Sequence, residues 1–261
     1  MELKKNTNMS GPDNLYFCIA GKNECAINFV KFLSKKIIKE NILILPNDSD
    51  NGLDNWQPSL KKFAKKENYE IVSLKRIYKI KKLIFISIEF EKIINTDKFI
   101  SKELFNFHFS LLPKYRGCHT NFFQIFNGEK YSGVTLHKID KGIDTGSIID
   151  NVKFRLKINN NAYQNYLDLM KNSLKLFKKN FKSILKKTYK EKKQNLKRGS
   201  YYSRNSINYK KMKFFELNKI KIKDFNEIRA FIFPPLQLPI LNNKVVSKIK
   251  YYNKSIKISY D

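Results

Sequence analysis

The residues of this sequence best suited to chemistry lie between 104 and 150, in LFNFHFSLLPKYRGCHTNFFQIFNGEKYSGVTLHKIDKGIDTGSIID. Asn106 and His108 stand two apart in an apolar run. On a strand they share one face, while Phe105, Phe107 and Phe109 take the other. The stretch Asp140-Lys-Gly-Ile-Asp144-Thr-Gly146 falls between two strand-like runs and puts two carboxylates on a loop whose glycines permit unusual backbone angles. An amide, an imidazole and a carboxylate suit acyl transfer, because attack on a carbonyl creates an oxyanion and moves a proton off the nucleophile. In this reading Asn106 donates to the oxyanion, His108 shuttles the proton, and Asp144 holds the imidazole or a relay water. No Ser or Cys is placed as an obvious nucleophile beside a base, so direct transfer between two bound substrates fits better than a covalent enzyme intermediate.

Such a site needs a scaffold, and the first half of the chain reads as one. Leu15 to Ala20, Asn41 to Leu45 and Leu83 to Ile88 are short apolar runs of strand length. Helical segments follow Asn23 to about Lys36 and span Pro58 to Lys66. Strand, helix, strand, helix, strand predicts a parallel sheet covered on both faces. Leu104–Phe109, Val134–Ile139 and Ser147–Phe154 add strands, and His119–Phe126 a short helix. From Ala162 the apolar positions Tyr163, Leu167, Met170, Leu174, Phe177, Phe181 and Ile184 form one helical stripe that closes the unit. TYKEKKQNLKRGS then reads as a charged linker. Val245–Tyr251 and Ile256–Tyr260 alternate around Asn253-Lys254 as a hairpin whose exposed face invites a partner subunit. The expected divisions are a flexible N-terminus over 1–14, a catalytic domain over 15–190 and a C-terminal extension over 191–261.

Composition narrows the classes. The chain has 261 residues, 52 Lys and Arg against 23 Asp and Glu, and a formal charge of +29. The charge attracts polyanions, yet the basic residues are nearly all Lys, whereas nucleic-acid grooves favour the guanidinium fork. Most of the Lys is read as solvated surface. Cys18, Cys25 and Cys118 match no zinc or redox spacing, and three cannot form a complete disulfide framework. Residues 1–14 lack an apolar leader core, and no apolar run nears membrane length. A cytoplasmic protein with no membrane, metal or nucleic-acid partner is expected.

Asn-x-His-x-Ser-Leu-Leu-Pro-x-Tyr-x-Gly at 106–117, Gly-Val-Thr-Leu-His at 133–137 and Asp-x-Gly-x-Asp-Thr-Gly at 140–146 together resemble the formyltransferases that use 10-formyltetrahydrofolate. The resemblance implies a Rossmann-like α/β domain with a mostly parallel sheet, followed by a small C-terminal extension ending in a β-hairpin. It places the family's catalytic residues on Asn106, His108 and Asp144. Asp50–Ser59, Ser87–Lys92, Tyr201–Arg204 and Arg229–Pro235 look like the branch that formylates dTDP-linked aminodideoxyhexoses. That branch implies folate contacts at Ile88, Phe90, Ile94, Asp140, Lys141 and Gly142, a homodimer formed through the C-terminal portion, and a 3-amino-3,6-dideoxyhexose acceptor destined for surface polysaccharide such as lipopolysaccharide O-antigen.

Substrate contacts are expected at Lys22, Asn23, Glu89, Lys92, Tyr202, Arg204 and Arg229. Lys22 and Asn23 mark either a helix N-terminus facing phosphate or a plain turn. Glu89 is placed to hold the sugar amine or a hydroxyl. Trp56, Tyr201 and Tyr202 either stack on a base or pack an interface. Arg204 and Arg229 either fork a pyrophosphate or pair inside the fold. His119 and His137 are read as structural and stay outside the catalytic set, and Cys118 as a packing residue. The rival readings are a methionyl-tRNA formyltransferase and an inactive module binding nucleic acid or an anionic surface.

Overall fold

The computed structural model describes residues 15–217 and 219–261; the expectation for residues 1–14 lies outside them. The chain runs β1 (Tyr16–Gly21), α1 (Asn23–Leu33), β2 (Ile42–Pro46), α2 (Leu60–Lys66), β3 (Glu70–Ile71), α3 (Leu74–Tyr78), β4 (Leu83–Ile88) and β5 (Glu103–His108). After these come β6 (Arg116–Gly117), α4 (Thr120–Phe126), β7 (Tyr131–Lys138), β8 (Ile148–Arg155) and α5 (Ala162–Lys186). The remainder holds β9 (Tyr201–Tyr202), α6 (Tyr209–Met212), β10 (Phe214–Phe215), α7 (Ile222–Phe231), β11 (Ile240–Leu241), β12 (Lys244–Tyr252) and β13 (Ser255–Tyr260).

A seven-stranded sheet in the order β3-β2-β1-β4-β5-β7-β8 forms the centre. β3 to β5 are parallel, and β7 and β8 join antiparallel. The side chains of β1 alternate between two cores, Phe17 and Ile19 on one face and Cys18 and Ala20 on the other. A strand covered on both faces must be apolar at every position, and β1 is. On the first face, Phe29 of α1 stacks on Phe177 of α5 with centroids 4.5 Å apart and meets Phe107 of β5 edge-on at 4.9 Å. Each such pair adds about 1 kcal/mol beyond burial. Phe107 is thereby anchored, and strand alternation turns its neighbours Asn106 and His108 to the opposite side.

Three local expectations are corrected. α1 ends at Leu33 rather than Lys36, because Lys35 and Lys36 donate to Phe32 and Leu33 in a tight turn. In α5 the buried face is rotated from the apolar stripe. Leu167 is 41% exposed, whereas Asn165 and Asn180 are buried, their amides donating to Asn121 O and to Asp150. Buried polar groups with partners are as admissible as apolar ones, so apolar spacing alone misplaces the face. The charged segment read as a linker is docked: Ile148 and Lys192 exchange backbone hydrogen bonds, and Tyr189 donates to Glu103 while its ring meets Phe105 edge-on. β12 and β13 pair as a hairpin around Asn253-Lys254, at the edge of a second sheet ordered β10-β11-β12-β13, against which α7 packs.

Candidate active site

β1, β4 and β5 all end on one rim of the parallel sheet, where open α/β sheets bind ligands. A cavity of about 790 Å³ lies there, and Asn106, His108 and Asp144 line it together. Strand parity supplies the first two. The third arrives on a loop held by several contacts: Asp140 accepts from Gly142 N–H and the Thr145 hydroxyl, and Gln194 donates to the carbonyls of Asp144 (3.0 Å) and Gly146 (2.7 Å). Gly146 packs so closely on the Lys138 carbonyl that a Cβ would collide with it. Asp144 itself sits at φ 54°, a conformation a non-glycine residue adopts at a cost.

The Asp144 carboxylate accepts from the Gly117 N–H at 2.8 Å and from the Asn106 amide at 3.2 Å. It also faces His108 Nδ1 at 3.4 Å and His137 Nε2 at 3.5 Å. Gly117 can bring its N–H there only as glycine: its φ is 88°, and a Cβ would strike the Tyr202 carbonyl across the β6–β9 pair. Burial resists ionisation of Asp144, but His108, His137 and the Gly117 N–H outweigh it and hold the carboxyl well below the usual carboxylate range. Burial also keeps the His108 imidazole below its ordinary value, although Asp144 and the Tyr115 carbonyl pull the other way. His108 is therefore neutral at neutral pH, with Asp144 ionised beside it.

The hydrogen bonds assign the protons. His108 Nε2 is 2.7 Å from the Tyr115 carbonyl and must donate to it, leaving Nδ1 free to accept a proton on the side of Asp144. His137 Nδ1 likewise donates to the Lys138 carbonyl at 2.7 Å, and its Nε2 lies 3.1 Å from the Asn106 amide nitrogen. His137, read from the sequence as structural, thus belongs to the cluster. It stands directly opposite Asn106 in the β5–β7 register. His119 lines the cavity with both ring nitrogens engaged, by the Arg204 carbonyl and the Tyr209 hydroxyl. Tyr115, whose carbonyl positions His108, entered the sequence reading only as a position of the 106–117 motif, and Gln194, which holds the acid loop, carried no sequence signal.

Among the expected ligand contacts, Lys22, Asn23, Glu89, Phe90, Lys92, Ile94, Asp140, Gly142 and Arg204 line the cavity, as do Trp56 and Tyr201. Lys92 also pairs with Asp48 at 2.7 Å. Four do not line it. Ile88 is fully buried in the sheet core. Lys141 points to solvent and pairs with Asp97. Tyr202 stacks on Phe123 with centroids 3.7 Å apart, and its hydroxyl accepts from Asn127. Arg229 is 3% exposed, donates to the Asn160 carbonyl and the Asn226 side chain, and lies over Phe225. Arg229 therefore caps the fold from within, and Tyr201 takes the place given to Tyr202.

The formyl transferase family model matches residues 59–172. The polymyxin resistance protein ArnA of Wigglesworthia glossinidia brevipalpis, a bifunctional protein, is 34% identical over 158 residues, which are 60% of this chain and 24% of that protein. The structure of WlaRD, a sugar 3N-formyl transferase solved in the presence of dTDP and 5-N-formyl-THF, is 44% identical. The match covers 92% of this chain and 87% of that one, with a TM-score of 0.87. An N-formyltransferase from Helicobacter canadensis, solved with folinic acid and dTDP-3-aminofucose, is 38% identical over 94% of this chain and 96% of that one, with a TM-score of 0.84. At that identity over nearly the whole length, this chain belongs to the formyltransferase family.

Proposed function

We infer that the protein transfers the formyl group of 10-formyltetrahydrofolate to the amino group of a dTDP-linked 3-amino-3,6-dideoxyhexose. One observation carries the reading: Asp144 joins Asn106 and His108 in the wall of a single cavity whose volume, about 790 Å³, is toward the upper end for small-molecule pockets, as two co-bound substrates require. The cavity also fits the folate. Phe90 and Ile94 line it together with the Asp140–Asp144 loop, and the lining residues Ile93 and Ile143 leave apolar surface exposed, which a flat heteroaromatic ring would cover. The folate, once bound, supplies the electrophilic formyl carbon.

The protein's own groups then act in order. Asn106 swings one N–H from His137 to the developing oxyanion, keeping its charge-assisted bond to Asp144. His108 takes at Nδ1 the proton that the attacking nitrogen sheds, and Asp144 stabilises the imidazolium from 3.4 Å. His108 then returns that proton to the departing folate nitrogen. The reading extends to a cytoplasmic homodimer serving surface polysaccharide synthesis, with residues 15–190 catalytic and 191–261 providing the subunit contact. For the subunit contact, the support is that β13 ends the order of the second sheet, with no further strand paired to it among the described residues.

The test is incubation with 10-formyltetrahydrofolate and a dTDP-3-amino-3,6-dideoxyhexose, followed by mass spectrometry of the sugar nucleotide. A mass gain of one formyl group is expected, and its absence with every nucleotide-linked amino sugar tried would refute the assignment.

A further inference from the structure

Glu89 is a carboxylate that the chemistry above does not use, and the fold holds it at some cost. It follows β4 one residue past the last rung of the β4–β5 ladder, Ile88 opposite Phe107, so the next position across is His108. Its backbone is left-handed, with φ 53°, which turns the side chain out of the sheet pattern, and the residue lines the same cavity as Asn106, His108 and Asp144. Non-glycine residues persist in that region where the surrounding structure over-determines them, and such residues cluster at ligand sites. Around the carboxyl, Tyr166 of α5 donates to Oε2 at 2.7 Å, and Asn23 at the start of α1 donates to the Tyr166 hydroxyl at 3.3 Å. Lys22 faces it from the N-cap of α1, Asn23 and Cys25 from α1 itself and Tyr166 from α5, and Asn47 beyond β2 donates to its main-chain carbonyl. Burial raises its affinity for a proton, while Lys22, Tyr166 and Asn23 oppose this.

An aliphatic amine is mostly ammonium at neutral pH and in that form has no lone pair with which to attack. We propose that Glu89 recognises the acceptor sugar by its ammonium group and removes the proton that blocks attack. The balance is simple: an N–H bond breaks, an O–H bond forms on Glu89, and the nitrogen keeps the electron pair that attacks the formyl carbon. The second proton, shed after attack, goes to His108 and on to the leaving nitrogen, while the Glu89 proton returns to solvent with product release. A half-buried carboxylate in the cavity wall is better matched to this transfer than one in open solvent. The proposal rests on the amine-acceptor reading of the site and assigns Glu89 its specificity.

The experiment compares wild type with Glu89→Gln. Calorimetry measures binding of a dTDP-3-amino-3,6-dideoxyhexose and of its analogue with a hydroxyl at that carbon, and kcat/KM is followed from pH 6 to 9. Wild type should prefer the amine at least tenfold, and Glu89→Gln should lose that preference. The variant's kcat/KM should be about a hundredfold lower at pH 7 and climb with pH as free amine becomes available, while wild type stays flatter. Its melting temperature should stay close to that of wild type, since glutamine keeps an oxygen to accept from Tyr166. Retained amine preference with the wild-type pH profile overturns the proposal, as does a wild type without amine preference. Should Glu89→Gln fail to fold, Tyr166→Phe must reduce the amine preference several-fold, and an unchanged preference overturns the proposal equally. Amine-selective, Glu89-dependent binding without turnover on any amino sugar refutes the transfer reading and leaves the recognition role standing.

Discussion

Replacing Asp144 with Asn changes one atom's chemistry and almost no volume, so the loss it causes can be worked from the distances. The carboxylate lies 3.4 Å from His108 Nδ1, the atom that becomes charged when the proton moves. At an effective dielectric of about 20, unit charges at that separation interact by about 5 kcal/mol. Asparagine keeps a carbonyl oxygen for the Gly117 N–H and part of the dipole, which leaves about 3 to 4 kcal/mol lost from the transition state. Its amide nitrogen also meets the Asn106 N–H donor instead of an acceptor. The chemical step should slow by roughly a hundredfold to a thousandfold. Single-turnover formylation, with pre-bound substrates and product read by mass, isolates that step from binding, and thermal melting checks that the variant is folded. A folded Asp144→Asn enzyme within tenfold of the wild-type single-turnover rate would show that the imidazolium does not form beside this carboxylate.

Three further outcomes follow from the same contacts. Burial keeps the folded-state His108 below its ordinary value of 6.5. The unfolded chain therefore binds that proton more readily, and the stability His108 contributes is full above 6.5 and is lost as pH falls through that value toward the folded one. An NMR titration of the His108 ring should find its midpoint below 6.5, and a midpoint above 7 would contradict the neutral proton acceptor. Gln194→Ala removes two hydrogen bonds to the acid loop, about 1 kcal/mol each; kcat should fall about tenfold with KM little changed, and an unaltered kcat would detach Gln194 from the site. Arg229→Lys cannot reproduce the fork to the Asn160 carbonyl and Asn226, so it should cost about 2 to 3 kcal/mol in denaturant unfolding while KM for the sugar nucleotide holds. A raised KM at unchanged stability would return Arg229 to ligand binding.

The sequence exposed what local backbone geometry controls. Two residues apart on a strand share a face whatever the strand later pairs with, so Asn106 and His108 were legible as a pair and Phe105 and Phe107 as their buried counterparts. Helix starts are set just as locally: Ser59 and Asn161 cap α2 and α5 through contacts spanning only three residues, although the sequence reading began the first of these helices at Pro58. The acid loop stood out by its glycines.

Whether that loop would reach the pair was decided by tertiary structure. Asp144 meets Asn106 across 38 residues of chain, and only the antiparallel return of β7 along β5 brings it there. The same register puts His137 opposite Asn106, a neighbour no local pattern announces. Tyr115, Gly117 and Gln194 became parts of the site because segments far away in sequence close over it. Arg229 and Tyr202 had suitable chemistry but face inward, for a side chain's exposure is set by what packs on it. Parity and capping are properties of a few bonds, while the meeting of amide, imidazole and carboxylate depends on strand register and on loops closing over the strand ends.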